Sequence, residues 1–115
     1  MNRFDYSPQF KKDLKRLTKK YNSLPKDLRR LEIFLEQYPN GIGASFAVLH
    51  HRPSVCIIKA RLACESLRAR SLRVIYAYKE SEKRIEFIEL YFKGDKLRED
   101  ELRIRDYLND LDNLS

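Results

Sequence analysis

Five residues in the second half of the chain have side chains suited to work on a phosphate. Lys59 and Arg61 stand two apart in "IIKARLAC", Arg73 stands in "SLRVIYAY", and Tyr91 and Lys93 stand in "IEFIELYFKG". In a β-strand, side chains alternate between faces with a period of two. Cys56, Ile58, Ala60, Leu62 and Cys64 then make one apolar face, and Lys59 and Arg61 share the other. The same alternation sets Leu72, Val74, Tyr76 and Tyr78 against Arg73, Ile75 and Ala77, and Ile88, Leu90 and Phe92 against Phe87, Glu89, Tyr91 and Lys93. Cleaving RNA by attack of its own 2′-OH needs few parts. Fixed cations stabilise charge building on the phosphate, one group takes the 2′-OH proton, and another protonates the leaving 5′-oxygen. Arg61 and Arg73 are always charged and fork-shaped, which suits phosphate. Lys59 and Lys93 are point charges able to take part in proton transfer when neighbouring cations lower their pKa. Tyr91 is placed to stack on a base or to move a proton. A solvated sheet face accounts for the same residues, so both readings stand at this point.

The elements that must position these residues follow from periodicity. Residues 2–6, "NRFDY", read as a short first strand. Ser7 and Pro8 suit the cap and first position of a helix whose stripe is Phe10, Leu14, Leu17 and Tyr21. A second helix, capped by Asn22 or Ser23, lines up Leu24, Leu28, Leu31, Leu35 and Tyr38, with Phe34 beside them. Pro39-Asn40-Gly41 ends it. The short connection makes the pair an αα-hairpin. Residues 40–54 read as an irregular link holding His50-His51. Histidine is a residue type able to supply a base, but these two have no carboxylate beside them in sequence. Strands follow at 55–64, 72–79 and 85–93, joined by links too short for parallel crossovers. A closing helix capped by Asp95 carries Leu97, Ile104, Leu108 and Leu111, and its last residues are expected to fray. The expected fold is α+β, in the order β-α-α-β-β-β-α, with the hairpin packed on one face of a small, mainly antiparallel sheet. The face bearing Lys59, Arg61 and Arg73 is expected to be uncovered.

The 115 residues suit a single domain, 1–115. No apolar run approaches the roughly 20 residues of a spanning helix, and "MNRFDYSPQF" has no signal-like apolar core. A cytoplasmic protein without a membrane partner is expected. Cys56 and Cys64 would lie roughly 26 Å apart along one strand at about 3.3 Å per residue, too far for a disulfide. No zinc spacing or phosphate loop is present, and no cofactor is expected. The net charge of +7 is uneven. Residues 50–79 hold seven Lys and Arg against one acid, whereas residues 80–115 hold seven against eleven. A cationic body of this kind favours a polyanionic partner. Lys11, Lys12, Lys15 and Lys19 on the first helix, with Arg68 and Arg70 after the K-x-R strand, are candidate RNA-positioning charges.

"FDYSPQFKKDLKRL", "KARLAC", "SLRVIYAY" and "IEFIELYFKGDK", in this order, resemble the RelE/ParE superfamily of type II toxins over roughly residues 4–108. The resemblance implies a toxin that enters the ribosomal A site and cuts mRNA, leaving a 2′,3′-cyclic phosphate, and that a cognate antitoxin silences. It places Lys59 and Arg61 at the family's strand lysine and arginine, Arg73 at its second-strand arginine, and Lys93 at the basic end of its last strand. The expected activity is that of a metal-independent endoribonuclease, with Lys59, Arg61, Arg73, Lys93 and Tyr91 as catalytic set. Ile57 stands where the family has a second active-strand lysine, and Glu99 stands near the position of its C-terminal tyrosine. His50, Glu89 and Tyr91 are then the available bases. Two alternatives share the fold: a ParE-like inhibitor of DNA gyrase without nuclease activity, and an inactive homologue that binds RNA or the ribosome.

Overall fold

The computed structural model describes residues 1–68 and 70–114, with only the backbone described at Leu114. The expectation of a fraying end reaches Ser115, outside the described residues. The chain runs β1 (Arg3–Tyr6), α1 (Pro8–Thr18), α2 (Leu24–Gln37), β2 (Phe46–Arg52), β3 (Val55–Ala63), β4 (Ser71–Lys79), β5 (Arg84–Phe92) and α3 (Glu101–Leu114). The five strands form one sheet in the order β1-β5-β4-β3-β2. All neighbours are antiparallel except β1, which pairs parallel with β5.

The α1–α2 hairpin forms as its stripes predict. Ser7 Oγ accepts from Phe10 N–H at 3.1 Å, and Pro8 opens the helix. Ser23 does not cap α2 through its side chain. Its hydroxyl instead donates to Asp27 at 2.7 Å and accepts from Ser66 N–H at 2.9 Å, tying the start of α2 to the end of β3. The hairpin buries Phe10, Leu17, Leu24, Leu28 and Leu35 against Ile58, Ala60, Leu62, Leu72, Val74, Tyr76, Phe87 and Leu90. Each large apolar side chain buried fully there contributes about 1.5–3 kcal/mol. Tyr76 donates its hydroxyl to Pro39 O at 2.8 Å, so its polar tip is satisfied at the end of the core. Cys56 and Cys64 are free thiols on this face.

Several features depart from the sequence reading. The expected irregular link contains β2, an edge strand paired with β3. Its register shifts between Val48 and His50, so Leu49 interrupts the alternation that marks a strand. The five-strand sheet therefore has one more strand than expected. A second irregularity faces Ile75 and Tyr76 of β4, where Glu89 and Phe87 are the partners and Ile88 is left over. This bulge reverses two assignments. Phe87 joins the hairpin core, and Ile88 turns to the opposite face.

That opposite face is not uncovered. Helix α3 lies across part of it, and Ile104 and Leu108 pack on Val55, Ile57, Ile75, Ala77 and Ile88. The helix starts at Glu101 rather than near Asp95, because Asp100 is the residue that caps it, accepting from Arg103 N–H at 3.1 Å. Residues 95–100 form a loop instead, and Leu97 is exposed. The loop delivers Lys96 and Glu99 to the sheet. Beyond Tyr6, β5 has no strand on its outer side. There Asp13 of α1 accepts from Leu90 N–H at 3.1 Å and from Arg103 Nη1 at 2.7 Å. Arg103 Nη1 also donates to Ile88 O at 3.0 Å. Two side chains thus take over the sheet hydrogen bonds that a longer β1 would make.

A candidate phosphate-binding cleft

Strand pairing brings the cations together. Arg61 on β3 is directly opposite Arg73 on β4, and Arg73 is directly opposite Tyr91 on β5. Two residues along, Lys59, Ile75 and Glu89 form the next row on this face. Helix α3 leaves this end of the face open. Lys59, Arg61, Arg73 and Lys93 line a single cleft of about 170 Å³, walled on the other side by Ala44, Ser45, Phe46 and Ala47. The wall is held to β3 by the hydrogen bond from Arg61 N–H to Ser45 O at 2.9 Å. Gly41, at φ +77°, makes the turn that leads into it.

Charge in the cleft is poorly compensated. Like charges directly opposite on adjacent strands destabilise a sheet, yet Arg61 faces Arg73. Among the described residues neither of them, nor Lys93, has a carboxylate partner. Among the described residues Arg73 donates to its neighbours, to Ser71 Oγ at 2.8 Å and more weakly to Ser71 O and Leu72 O. Lys59 differs, because its Nζ is 2.9 Å from Glu99 Oε1. Glu99 has a side chain 9% exposed, and sequence reasoning left it out of the candidate set. Burial works to raise its pKa, but the hydrogen bond from Lys59, with the Lys59 and Arg98 charges, holds it below the usual glutamate value.

The other predicted residues fall elsewhere. Tyr91 points to the same side as Arg73 but is 4% exposed and packs beneath the 95–100 loop, with the Lys96 ammonium over its ring at 5.2 Å. Burial, then the charges of Glu99 and Glu89, pushes its hydroxyl up to about 12. A ring so covered neither stacks on a base nor trades protons near neutral pH. Glu89 is buried and already held by Lys96 and by Asp100 N–H at 2.8 Å. His50 lines a separate hollow with Arg52, Glu101 and Arg105. Lys11, Lys15 and Lys19 rim an apolar groove over Leu14, Thr18 and Pro25, and Lys12 is exposed on the same helix. That hairpin covers the sheet face opposite to the cations, so these lysines do not extend the cleft. Arg68 and Arg70 are exposed beyond the Ala63–Ser71 pair, at the cleft's end of β3 and β4, and Arg70 lies over the Phe92 ring at 5.1 Å.

No protein-family model matches the sequence. No curated protein sequence matches it either. Solved structures do resemble the fold. The archaeal RelE–RelB complex from Pyrococcus horikoshii OT3 contains a chain with a TM-score of 0.63 at 22% identity, the match covering 81% of this chain and 96% of that one. A mutant of the E. coli toxin RelE in the free state gives a TM-score of 0.56 at 16% identity, over 83% of this chain and 86% of the other. Helices, sheet order and hairpin together give this chain the RelE fold.

Proposed function

We propose that this chain is the toxin of a toxin–antitoxin pair, an endoribonuclease that cuts mRNA in the ribosomal A site by 2′-OH attack. The observation that carries the reading is the cleft itself: Arg61, Arg73 and Lys93 converge without carboxylate partners among the described residues, in a fold shared with RelE. Three cations gathered on one sheet face before substrate arrives stabilise the extra negative charge of a pentacoordinate phosphorus. They supply without a metal ion the compensation that the reaction needs. Arg61 and Arg73, directly opposite each other on adjacent strands, grip the non-bridging oxygens, and Lys93 lies at the end of β5 toward a leaving oxygen. The RelE–RelB neighbour supports a cognate antitoxin as the protein partner. Action on ribosomes places the protein in the cytoplasm. Among the described residues no helix is long and apolar enough to cross a membrane.

Programmed ribosomes test the reading. Wild-type protein cuts mRNA at codon-phased positions, and Arg73→Ala lowers the rate about 10²–10³-fold, the usual cost of one preorganised charge donor. The same substitution leaves folding nearly intact, because among the described residues the Arg73 side chain bonds to Ser71 and Leu72 alone and its loss relieves the repulsion from Arg61. Intact mRNA with accumulating DNA breaks in a gyrase reaction points instead to the ParE-like activity. Intact mRNA with retained ribosome binding points to an inactive homologue.

A further inference from the structure

We infer that Glu99 is the general base of the cleft and that Lys59 is the residue that positions it. The inference rests on the ribonuclease reading above and assigns the one role that reading leaves empty. A base for the 2′-OH must be ionised, lie at the cleft and be free of stronger obligations. Tyr91 is buried and keeps its proton. Glu89 is spoken for by Lys96 and Asp100 N–H, and His50 opens into another hollow. Glu99 meets all three conditions. It is held by Lys59, a residue that itself lines the cleft, and by its own backbone N–H, so its carboxylate lies beside the cleft. The loop that carries it is anchored at both ends, by Lys96 on Glu89 and by Asp100 N–H on Glu89.

Glu99 takes the 2′-OH proton as O2′ forms its bond to phosphorus. The phosphorus–O5′ bond breaks, and the Lys93 ammonium gives O5′ its proton. A 2′,3′-cyclic phosphate and a 5′-hydroxyl leave, and solvent returns Lys93 and Glu99 to their starting states. The charges facing Glu99 are Lys59 from β3, Arg98 on its own loop, and Tyr91 of β5 with the Glu89–Lys96 pair beside it. The first two keep the carboxylate ionised below the usual glutamate range. Removing Lys59 leaves burial unopposed by its main counter-charge, which moves the Glu99 pKa upward.

The experiment is the rate of mRNA cleavage on programmed ribosomes against pH for wild type, Glu99→Gln and Lys59→Met, with thermal melts of each. Glu99→Gln can still accept from Lys59, so it folds. Its rate falls about 10²–10⁴-fold, the usual contribution of one general base, and its acid limb disappears. Lys59→Met shifts the acid limb to higher pH, an effect that a merely structural tether does not produce. A Glu99→Gln rate equal to wild type, or a Lys59→Met acid limb where wild type has it, overturns the assignment while leaving the ribonuclease reading intact. Wild-type protein that cuts no RNA overturns both.

Discussion

Removing the Asp13 carboxylate is expected to cost far more than an ordinary substitution on a charged helix. Asp13 is 8% exposed, and its Oδ2 accepts from both Leu90 N–H and Arg103 Nη1. In Asp13→Ala the Leu90 amide loses its one partner among the described residues on the outer edge of β5, and an orphaned buried donor costs about 1–3 kcal/mol. The Arg103 guanidinium, with a side chain 20% exposed, loses its counter-charge as well. Stripping one member from a buried pair costs about 3–5 kcal/mol, but Arg103 keeps Ile88 O and some water, and the two penalties share one carboxylate. The total comes to about 3 kcal/mol. At about 4 °C per kcal/mol for a chain of this size, the melting temperature drops by about 12 °C.

Arg103→Ala is expected to be milder, because Asp13 then keeps Leu90 N–H. The double variant is expected to cost little more than Asp13→Ala alone, giving a coupling energy well outside the error of additive sites. Urea unfolding and thermal melts measure the cycle, and hydrogen exchange at the Leu90 amide reads the edge directly. Arg103 lies in the first turn of α3, just past the Glu99 loop, so the same variants loosen the carboxylate at the cleft and slow cleavage. A loss under about 1 kcal/mol, within the range of ordinary surface changes, or strictly additive single changes, refutes the argument that side chains replace β1 along this edge.

Two further outcomes are expected. In Gly41→Ala, the added Cβ would sit 2.2 Å from Phe46 Cγ at a φ of +77°. The left-handed backbone alone costs about 1–2 kcal/mol, urea denaturation measures the loss, and the displaced Phe46 wall lowers cleavage. In alkali, burial first of all holds the hydroxyls of Tyr6, Tyr76, Tyr91 and Tyr107 above their usual value of 10. Their stabilising contribution is whole below pH 10, where the unfolded phenols are also neutral, and is lost as pH rises through the folded values. Phenolate absorbance from these four is expected to appear together with loss of circular dichroism, and full ionisation at pH 10 with the fold intact would contradict it.

The residues explain what the sequence made legible. Apolar stripes gave α1 and α2, because helices of ordinary geometry repeat faithfully. The alternation of β3 and β4 put Lys59, Arg61 and Arg73 on one side correctly, since no irregularity interrupts that pairing. Where the period slipped, legibility ended. Leu49 and Ile88 are each one residue extra, and one extra residue reverses every assignment beyond it. Asp95 and Asp100 are both reasonable helix caps, and choosing the first hid the loop that brings Glu99 to Lys59. In the family pattern Glu99 stands out only by the tyrosine it replaces. A carboxylate there, facing a strand lysine, was the available signal.

The arrangement of charge itself argues for an anionic ligand. A fold selected for stability alone has no reason to set Arg61 against Arg73 and add Lys93, since each pair of like charges on adjacent strands opposes the pairing. The same chain neutralises buried or crowded charges away from the cleft, Asp13 with Arg103, Glu89 with Lys96 and Asp5 with Arg84, and within the cleft it pairs Lys59 with Glu99 but leaves the other three cations without a carboxylate among the described residues. Care elsewhere makes neglect in the cleft informative. Under the proposed function, a bound phosphodiester supplies the missing negative charge and turns repulsion into attraction. The stability forgone in the empty protein then returns as preference for a ligand whose charge is greatest at the transition state.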